Sequence, residues 1–292
     1  MANAWPVVMG IVNATPDSFS GDGSAEQGID TLVSRAHALV DDGATLIDVG
    51  GESGVTNRPP VPAREEIERV VPLIRRLAAA DVRVSVDTWK AEVASAALEA
   101  GAVMVNDVSG LRDPAMASVC AQGNATLVIT HTRSAPKEKT FPPYDDVVVD
   151  VVAFLSQQIA QAIDAGVDPE RIVVDPGVDL AKTPAQSVEL LRRLGELRAL
   201  GKPILLAVSR KDFVGALTGR PPRQRLGGTL AAVGAGLDGG AAILRVHDVA
   251  HVADYLRVRA ALNGDEPVPP ELHLPERLRR EPSRPSVGAP PD

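Results

Sequence analysis

Eight short runs rich in valine and isoleucine punctuate the chain, and this repetition limits its possible folds more than any other feature. The runs are VVMGIV (7–12), TLIDV (45–49), VRVSV (82–86), AVMVN (102–106), ATLVIT (125–130), RIVVD (171–175), PILLAV (203–208) and AILRV (242–246). Between them lie IDTLVSRAHALVDDG, REEIERVVPLIRRLAAA, KAEVASAALEAG, DDVVVDVVAFLSQQIAQAIDAG and AQSVELLRRLGELRALG, with apolar residues at helical spacing and glycine just past several ends. Runs this continuous suit strands covered on both faces, as parallel sheets require. Strand then helix, eight times over about 260 residues, predicts a single α/β domain folded as a closed (β/α)8 TIM barrel. An open doubly wound sheet is the rival arrangement of the same alternation.

Polar residues collect where the runs stop: Asn13, GGES at 50–53, Asp87, Asn106 with Asp107, His131, Asp175, SRK at 209–211, and Arg245 with His247. In a barrel all strands point one way, so these groups converge on the C-terminal face, where barrel enzymes place their sites. The first run leads directly into NATPDSFSGDG, a loop far richer in hydrogen-bonding groups than a connection needs.

The 292 residues are 45% hydrophobic but only 3% aromatic, enough for one large aliphatic core. The barrel is expected over 1–263, followed by a Pro-rich, flexible tail at 264–292. Eight of the last twenty-eight residues are proline, with a short helical turn expected at PERLRRE. A net charge of −8 argues against a surface for nucleic acid or anionic membrane. Cys120 has no second cysteine to pair with and reads as a buried thiol. With no leader-like N-terminus and no long uncharged apolar window, a cytoplasmic protein is expected.

The strand-end residues have ordinary readings beside functional ones. Asp87, before Thr and a helix, could equally cap that helix. Asp175 precedes Pro-Gly, a turn and not a helix start, which favours a carboxylate that accepts parallel N–H bonds from a flat heterocycle. Asn106 offers a donor and an acceptor, but Asn also tolerates turns. Lys211 beside Arg210 is either a ligand group or a solvated charge pair. Arg245 and His247 alternate at a strand end, pointing the same way, and together present a fork and an imidazole to an anion. His131 and Arg133 read as surface polars. HExxH, CxxC, GxSxG, P-loop and GxGxxG motifs are absent, so nucleophilic hydrolysis and nucleotide-dependent phosphoryl transfer lack their usual support.

Taken in order, NATPDSFSGDG, DVGGES, SVDTWKAEVA, VNDVSG, VVDPG, SRK and RVHDV resemble the dihydropteroate synthase family, a pterin-binding TIM-barrel family. The resemblance implies a folate-biosynthesis transferase. It would condense 6-hydroxymethyl-7,8-dihydropterin pyrophosphate with p-aminobenzoate, giving 7,8-dihydropteroate and pyrophosphate. It further implies that Asp87, Asn106, Asp175 and Lys211 bind the pterin edge and that Arg245 lies over the ring. Asn13, Arg245 and His247 would hold the pyrophosphate, Asn13 would ligate Mg²⁺, and Lys211, Arg245 and His247 would be the catalytic groups. Arg58 would serve the p-aminobenzoate side, and the enzyme would be a homodimer whose partners are small-molecule substrates.

Two segments depart from the family pattern. GGESGVTNRPP carries about three extra residues before Arg58, and DPGVDLAK has Val178 and Leu180 where the family has phenylalanines, with Asp179 inserted. The alternative readings are a paralogue that binds pterin without condensing it, and a pterin-binding methyltransferase module. The latter has no use for an anion clamp of Asn13, Arg245 and His247.

Overall fold

The computed structural model describes residues 5–15, 25–53 and 59–280. Along them run β1 (Val7–Asn13), α1 (Ala25–Asp41), β2 (Leu46–Gly50), α2 (Ala63–Ala79), β3 (Val84–Asp87), α3 (Ala91–Glu99), β4 (Met104–Asp107), α4 (Met116–Gln122) and β5 (Thr126–Thr130). Then follow α5 (Val147–Asp164), β6 (Ile172–Asp175), α6 (Pro184–Arg192), β7 (Ile204–Leu206), α7 (Asp212–Thr218), α8 (Leu226–Gly239), β8 (Ala241–Val246) and α9 (Val249–Asn263). Each strand pairs in parallel with the next, and β1 also pairs with β8, so the sheet is a closed TIM barrel and not an open one.

The period of two along a strand sorts the core. Met9, Leu46, Met104, Val128, Val173, Leu205 and Ile243 form one buried cluster, the plug inside the barrel. Their strand neighbours, among them Ile47, Val105, Leu127, Val174 and Leu244, pack with the helices in a second, larger cluster. Two positions beyond the plug residues the chain turns polar: Leu46 leads to Asp48, Met104 to Asn106, Val128 to Thr130, Val173 to Asp175 and Ile243 to Arg245. Ser85 and Asp87 hold the same inward register on β3, since Ser85 pairs with Met104 and Asp87 with Asn106. A hydrophobic floor thus carries a polar storey.

The helices begin where local chemistry supports them. Asp146 caps α5, accepting from the Val148 and Val149 amides at 2.8 and 3.1 Å. Thr183 and Gln186 form a reciprocal capping box on α6, with Pro184 in its first turn. AQSVELLRRLGELRALG does not remain one helix. It breaks at Arg193 into α6 and a 3-10 stretch, Leu194–Leu200, where Gly195 weakens the helix and Leu194 and Leu197 turn inward. α5 is long and apolar enough to cross a membrane, but it buries Val147, Val151, Leu155, Ile159 and Ala162 along one stripe, as a barrel helix does. Beyond Gly264 the described tail residues are exposed, with a 3-10 turn at Glu276–Leu278 and a bond from Trp5 Nε1 to Glu266 Oε1 of 2.9 Å. Cys120 is fully buried, as expected.

α8 is apolar and glycine-rich because it lies very close to its neighbours. A Cβ on Gly236 would fall 2.0 Å from Leu206 Cδ2, and one on Gly228 would fall 2.3 Å from Val214 Cγ1. Leu206 is fully buried and has no room to yield. Gly236→Ala should therefore lower stability by about 1 to 3 kcal/mol from overpacking, although alanine is the better helix former by roughly 1 kcal/mol. Urea unfolding measures this; an unchanged or raised midpoint would mean that α8 can slide outward.

Candidate active site

At the centre of the polar storey one guanidinium serves two carboxylates. Arg245 donates from Nε to Asp48 Oδ2 and from Nη2 to Asp87 Oδ2, both at 2.6 Å. Asn106 Nδ2 also donates to Asp48 Oδ2, at 3.2 Å. Asp48 is fully buried, so β2, β3, β4 and β8 meet through it. Asp48 is not among the residues that strand ends nominate. Its signal is a lone carboxylate in an apolar run, two positions after an inward leucine.

The arrangement leaves charge and hydrogen-bonding capacity unspent. Asp87 is pushed up to about 7 by burial, with Arg245 opposing and Asp48 reinforcing the shift. Asp48 Oδ1, Ser85 Oγ, Asn106 Oδ1 and Thr130 Oγ1 are buried without a protein partner. Four such atoms on the inward face of the barrel suit a site that completes its hydrogen bonds with a ligand or water.

Asp175 and Lys211 extend this layer. Asp175 Oδ1 accepts from the Gly177 amide at 2.7 Å, which aims the carboxyl and leaves its other oxygen for a ligand. Burial raises its pKa, with the Gly177 bond and then Lys211 opposing. Lys211 is the N-cap residue of α7, and burial lowers its pKa against the pull of Asp175 and Asp179. Arg225 Nη1 holds this corner by donating to the Arg210 and Lys211 carbonyls at 2.9 and 3.1 Å.

His247 lies one alternate position beyond Arg245, and its backbone N and its Nδ1 are 3.2 and 3.0 Å from Ser209 Oγ. Burial, then Arg210 and Arg245, lowers it to about 4, so at neutral pH it offers an N–H and no charge. A Cβ at Gly50 would lie 3.7 Å from Asn13 Oδ1 and 3.8 Å from Asp87 Oδ2, so Asn13 and Asp87 share one corner of the mouth. Arg58 lies outside the described residues, as does most of NATPDSFSGDG. The described start of the second loop is firmly anchored. Glu52 takes Lys90 Nζ at 2.6 Å and faces Lys137 Nζ at 3.2 Å, while Lys90 also bonds Glu66. A Cβ on Gly51 would fall 2.7 Å from Val70 Cγ1, so this loop needs glycine to lie against α2.

His131 departs from the surface reading: it is fully buried. It follows the inward Thr130 of β5, so its ring turns to the helix layer, meeting Asp150 and Lys182, with Phe154 edge-on at 5.0 Å. Arg133 stays partly exposed, over the Tyr144 ring at 4.5 Å. Lys182 has no sequence signal beyond its place after the DPG turn.

The family model described as "Pterin binding enzyme" matches residues 9–247. The chain is 42% identical over 259 residues to the dihydropteroate synthase of Synechocystis sp., covering 87% of this chain and 89% of that protein. It is similar to the structure of Clostridium difficile dihydropteroate synthase in the presence of pteroic acid, with TM-score 0.83 and 40% identity over 88% of this chain and 96% of that one. It is also similar to Xanthomonas albilineans dihydropteroate synthase in complex with 7,8-dihydropteroate, with TM-score 0.80 and 43% identity over 88% and 94%.

The raised Asp87 carboxyl makes a stability prediction with a definite sign. In the folded state it holds its proton up to about 7, against 3.8 as the ordinary value, so its ionisation weakens the fold progressively between those limits. Asp87→Asn keeps this position uncharged throughout. Its stability relative to the parent should therefore grow from pH 4 to pH 7 and level off above. With 21% of the side chain still exposed, the gain should be on the order of 1 to 2 kcal/mol. Thermal melts across this range check it; a difference independent of pH would mean that the guanidinium outweighs burial and that Asp87 is not raised in the fold.

Proposed function

Because this chain belongs to the pterin-binding enzymes and, within them, to the dihydropteroate synthase family, we propose how its own residues perform that family's condensation. The enzyme is a transferase of folate biosynthesis. It joins 6-hydroxymethyl-7,8-dihydropterin pyrophosphate to p-aminobenzoate, giving 7,8-dihydropteroate and pyrophosphate. The observation that carries the assignment of roles is the Arg245 guanidinium held between Asp48 and Asp87, with Asn106, Asp175 and Lys211 around it.

In this reading Asp175 accepts ring N–H groups through the oxygen that Gly177 leaves free, and Asn106 offers its unpartnered Oδ1 beside it. Asp87 and Lys211 complete the pterin edge. Arg245 presents its face to the ring while its edge stays on the two carboxylates. The methylene C–O bond breaks with its electron pair leaving on pyrophosphate, and the positive charge left behind spreads into the pterin. The amine of p-aminobenzoate then forms the C–N bond and loses a proton. The carboxyl groups of Asp48 and Asp175 favour the cationic ring, while Arg245, Lys211 and the His247 N–H offset the departing anion. No strong base is needed, only positioned charge.

Asn13 suits Mg²⁺ as the single protein oxygen in a shell otherwise made of phosphate oxygens and water. Its amide oxygen stands at the mouth beside Asp87, and among the described residues no group of three His, Cys, Asp or Glu forms a rival metal site. When bound, the ion would neutralise the leaving pyrophosphate. Arg58, on the longer second loop, is assigned to the p-aminobenzoate side. The small-molecule chemistry and the charge of −8 support a cytoplasmic enzyme with no nucleic-acid or membrane partner. A homodimer is supported by an apolar groove between α6, α7 and α8, where Leu217 is 69% exposed; sedimentation velocity should give a mass twice that of the chain, and a monomer would refute it.

Pyrophosphate release from the pterin ester, Mg²⁺ and p-aminobenzoate tests the function. Asp175→Asn should bind the pterin about 10- to 100-fold more weakly, since an amide NH₂ would then face ring donors. Arg58→Ala should raise the KM for p-aminobenzoate and leave pterin affinity unchanged. Pterin binding by the parent without any release would favour the non-condensing paralogue, and Asp175→Asn affinity within twofold of the parent would remove that residue from the site.

A further inference from the structure

The DPGVDLAK segment folds into a turn that is unfavourable on its own. Gly177, Asp179 and Ala181 all have left-handed backbones, with φ of 67°, 62° and 52°. Asp179 and Ala181 carry side chains, for which this region is disfavoured. Gly177 has no alternative: a Cβ there would fall 1.9 Å from the His131 carbonyl oxygen. Something outside the local backbone must hold this shape.

Lys182 supplies the hold from within. It is 1% exposed, and its ammonium donates to the Gly177 carbonyl at 2.9 Å, to the Leu180 carbonyl at 3.0 Å and to His131 Nδ1 at 2.8 Å. Burial lowers Lys182 to about 7, with Asp175 opposing; in its ammonium form it has three hydrogens, and each has an acceptor here. His131 is fully buried and neutral, since burial and Lys182 lower it to about 3. With Nδ1 accepting from Lys182, the ring proton sits on Nε2 and is donated to Asp150 Oδ1 at 2.9 Å. Tyr144 adds a bond to the Ala181 carbonyl at 3.0 Å.

The turn has an output on each side. Upstream, the Gly177 amide fixes Asp175. Downstream, Asp179 accepts from the Phe213 amide at 3.0 Å in the first turn of α7, two residues from Lys211, and from Ser187 Oγ at 3.0 Å. Asp179 thus connects the turn to the lysine corner.

We infer that Asp150, His131 and Lys182 form a chain of positioning residues that fixes the turn at 177–182 and, through Gly177 and Asp179, sets both Asp175 and Lys211 for the pterin. This inference rests on the pterin reading given above. None of the three needs to touch substrate; each acts by holding the next. The link that matters at His131 is the acceptor facing Lys182. Asparagine can place a carbonyl oxygen near the Nδ1 position, whereas leucine fills the space without one.

The test compares the full-length parent with His131→Asn, His131→Leu and Lys182→Met. Pterin binding is measured by calorimetry, turnover by pyrophosphate release, and folding by thermal melting. The parent should bind and turn over. Lys182→Met and His131→Leu should lose at least tenfold in pterin affinity, and His131→Asn should stay within threefold of the parent even where its melting temperature falls as far as that of His131→Leu. A general packing role predicts instead that affinity follows melting temperature across the three variants. A folded Lys182→Met that binds pterin within twofold of the parent, or equal losses in the two His131 variants, would overturn the inference. If Lys182→Met does not fold, the His131 pair decides alone. A parent that binds no pterin would overturn the underlying functional reading, whereas a binding parent with unaffected variants would overturn only the positioning chain.

Discussion

The ion triad of Arg245, Asp48 and Asp87 is the interaction on which the mouth of the barrel depends. Two inward carboxylates on neighbouring strands would repel across a buried space, and a single guanidinium in their midst makes them tolerable. Asn106 takes its orientation from the same Asp48 oxygen, so the amide, the guanidinium and the second carboxylate are all referred to one residue on β2. With two acids against one base, burial raises Asp87 to about 7, so the triad can shed or take up a proton there.

Around this centre the loops are fastened by lysines, one of them, Lys182, fully buried. Lys182 ties the turn after β6, Lys90 ties Glu52 of the second loop to Glu66 of α2, and Lys137 reaches from the loop after β5 to the same Glu52. A lysine can serve in this way because it carries three donors on a long stem and can satisfy carbonyls or carboxylates that a loop would otherwise bury unpaired. Lys137 accepts a left-handed backbone, φ 70°, to make its reach. The loops at the mouth are therefore braced by lysine side chains engaged with protein groups, in keeping with the need for a rigid frame under a positioned site.

Much of this was legible in the sequence. The eight apolar runs lie within one or two residues of the eight strands, because strands covered on both faces are apolar almost without interruption. The convergence of Asn106, Asp175, Arg245 and His247 on one face followed from parallel strands alone. Asp48 was hidden by that same continuity, as an apolar run absorbs one carboxylate unless the alternation is followed inward. His131 looked like a surface residue because its partners, Asp150 and Lys182, lie 19 and 51 residues away, where no local pattern reaches. Asp179 was visible only as an interruption, since its partners Ser187 and Phe213 are supplied by packing. The helix break at Arg193 was masked by leucines that keep helical spacing through Gly195.

Closure of the sheet by β1 against β8 has a consequence for how the chain is made. Arg245 is 197 residues from Asp48 and 158 from Asp87, so a chain emerging from the ribosome presents both acids long before their counter-ion exists. A partial barrel of the first strands would hold two carboxylates side by side without their guanidinium while its edges stay unpaired. Half-barrels are thus disfavoured by electrostatics as well as by open edges. The last strand both closes the ring and brings the one guanidinium the two acids share, so the binding centre is complete only when the chain is.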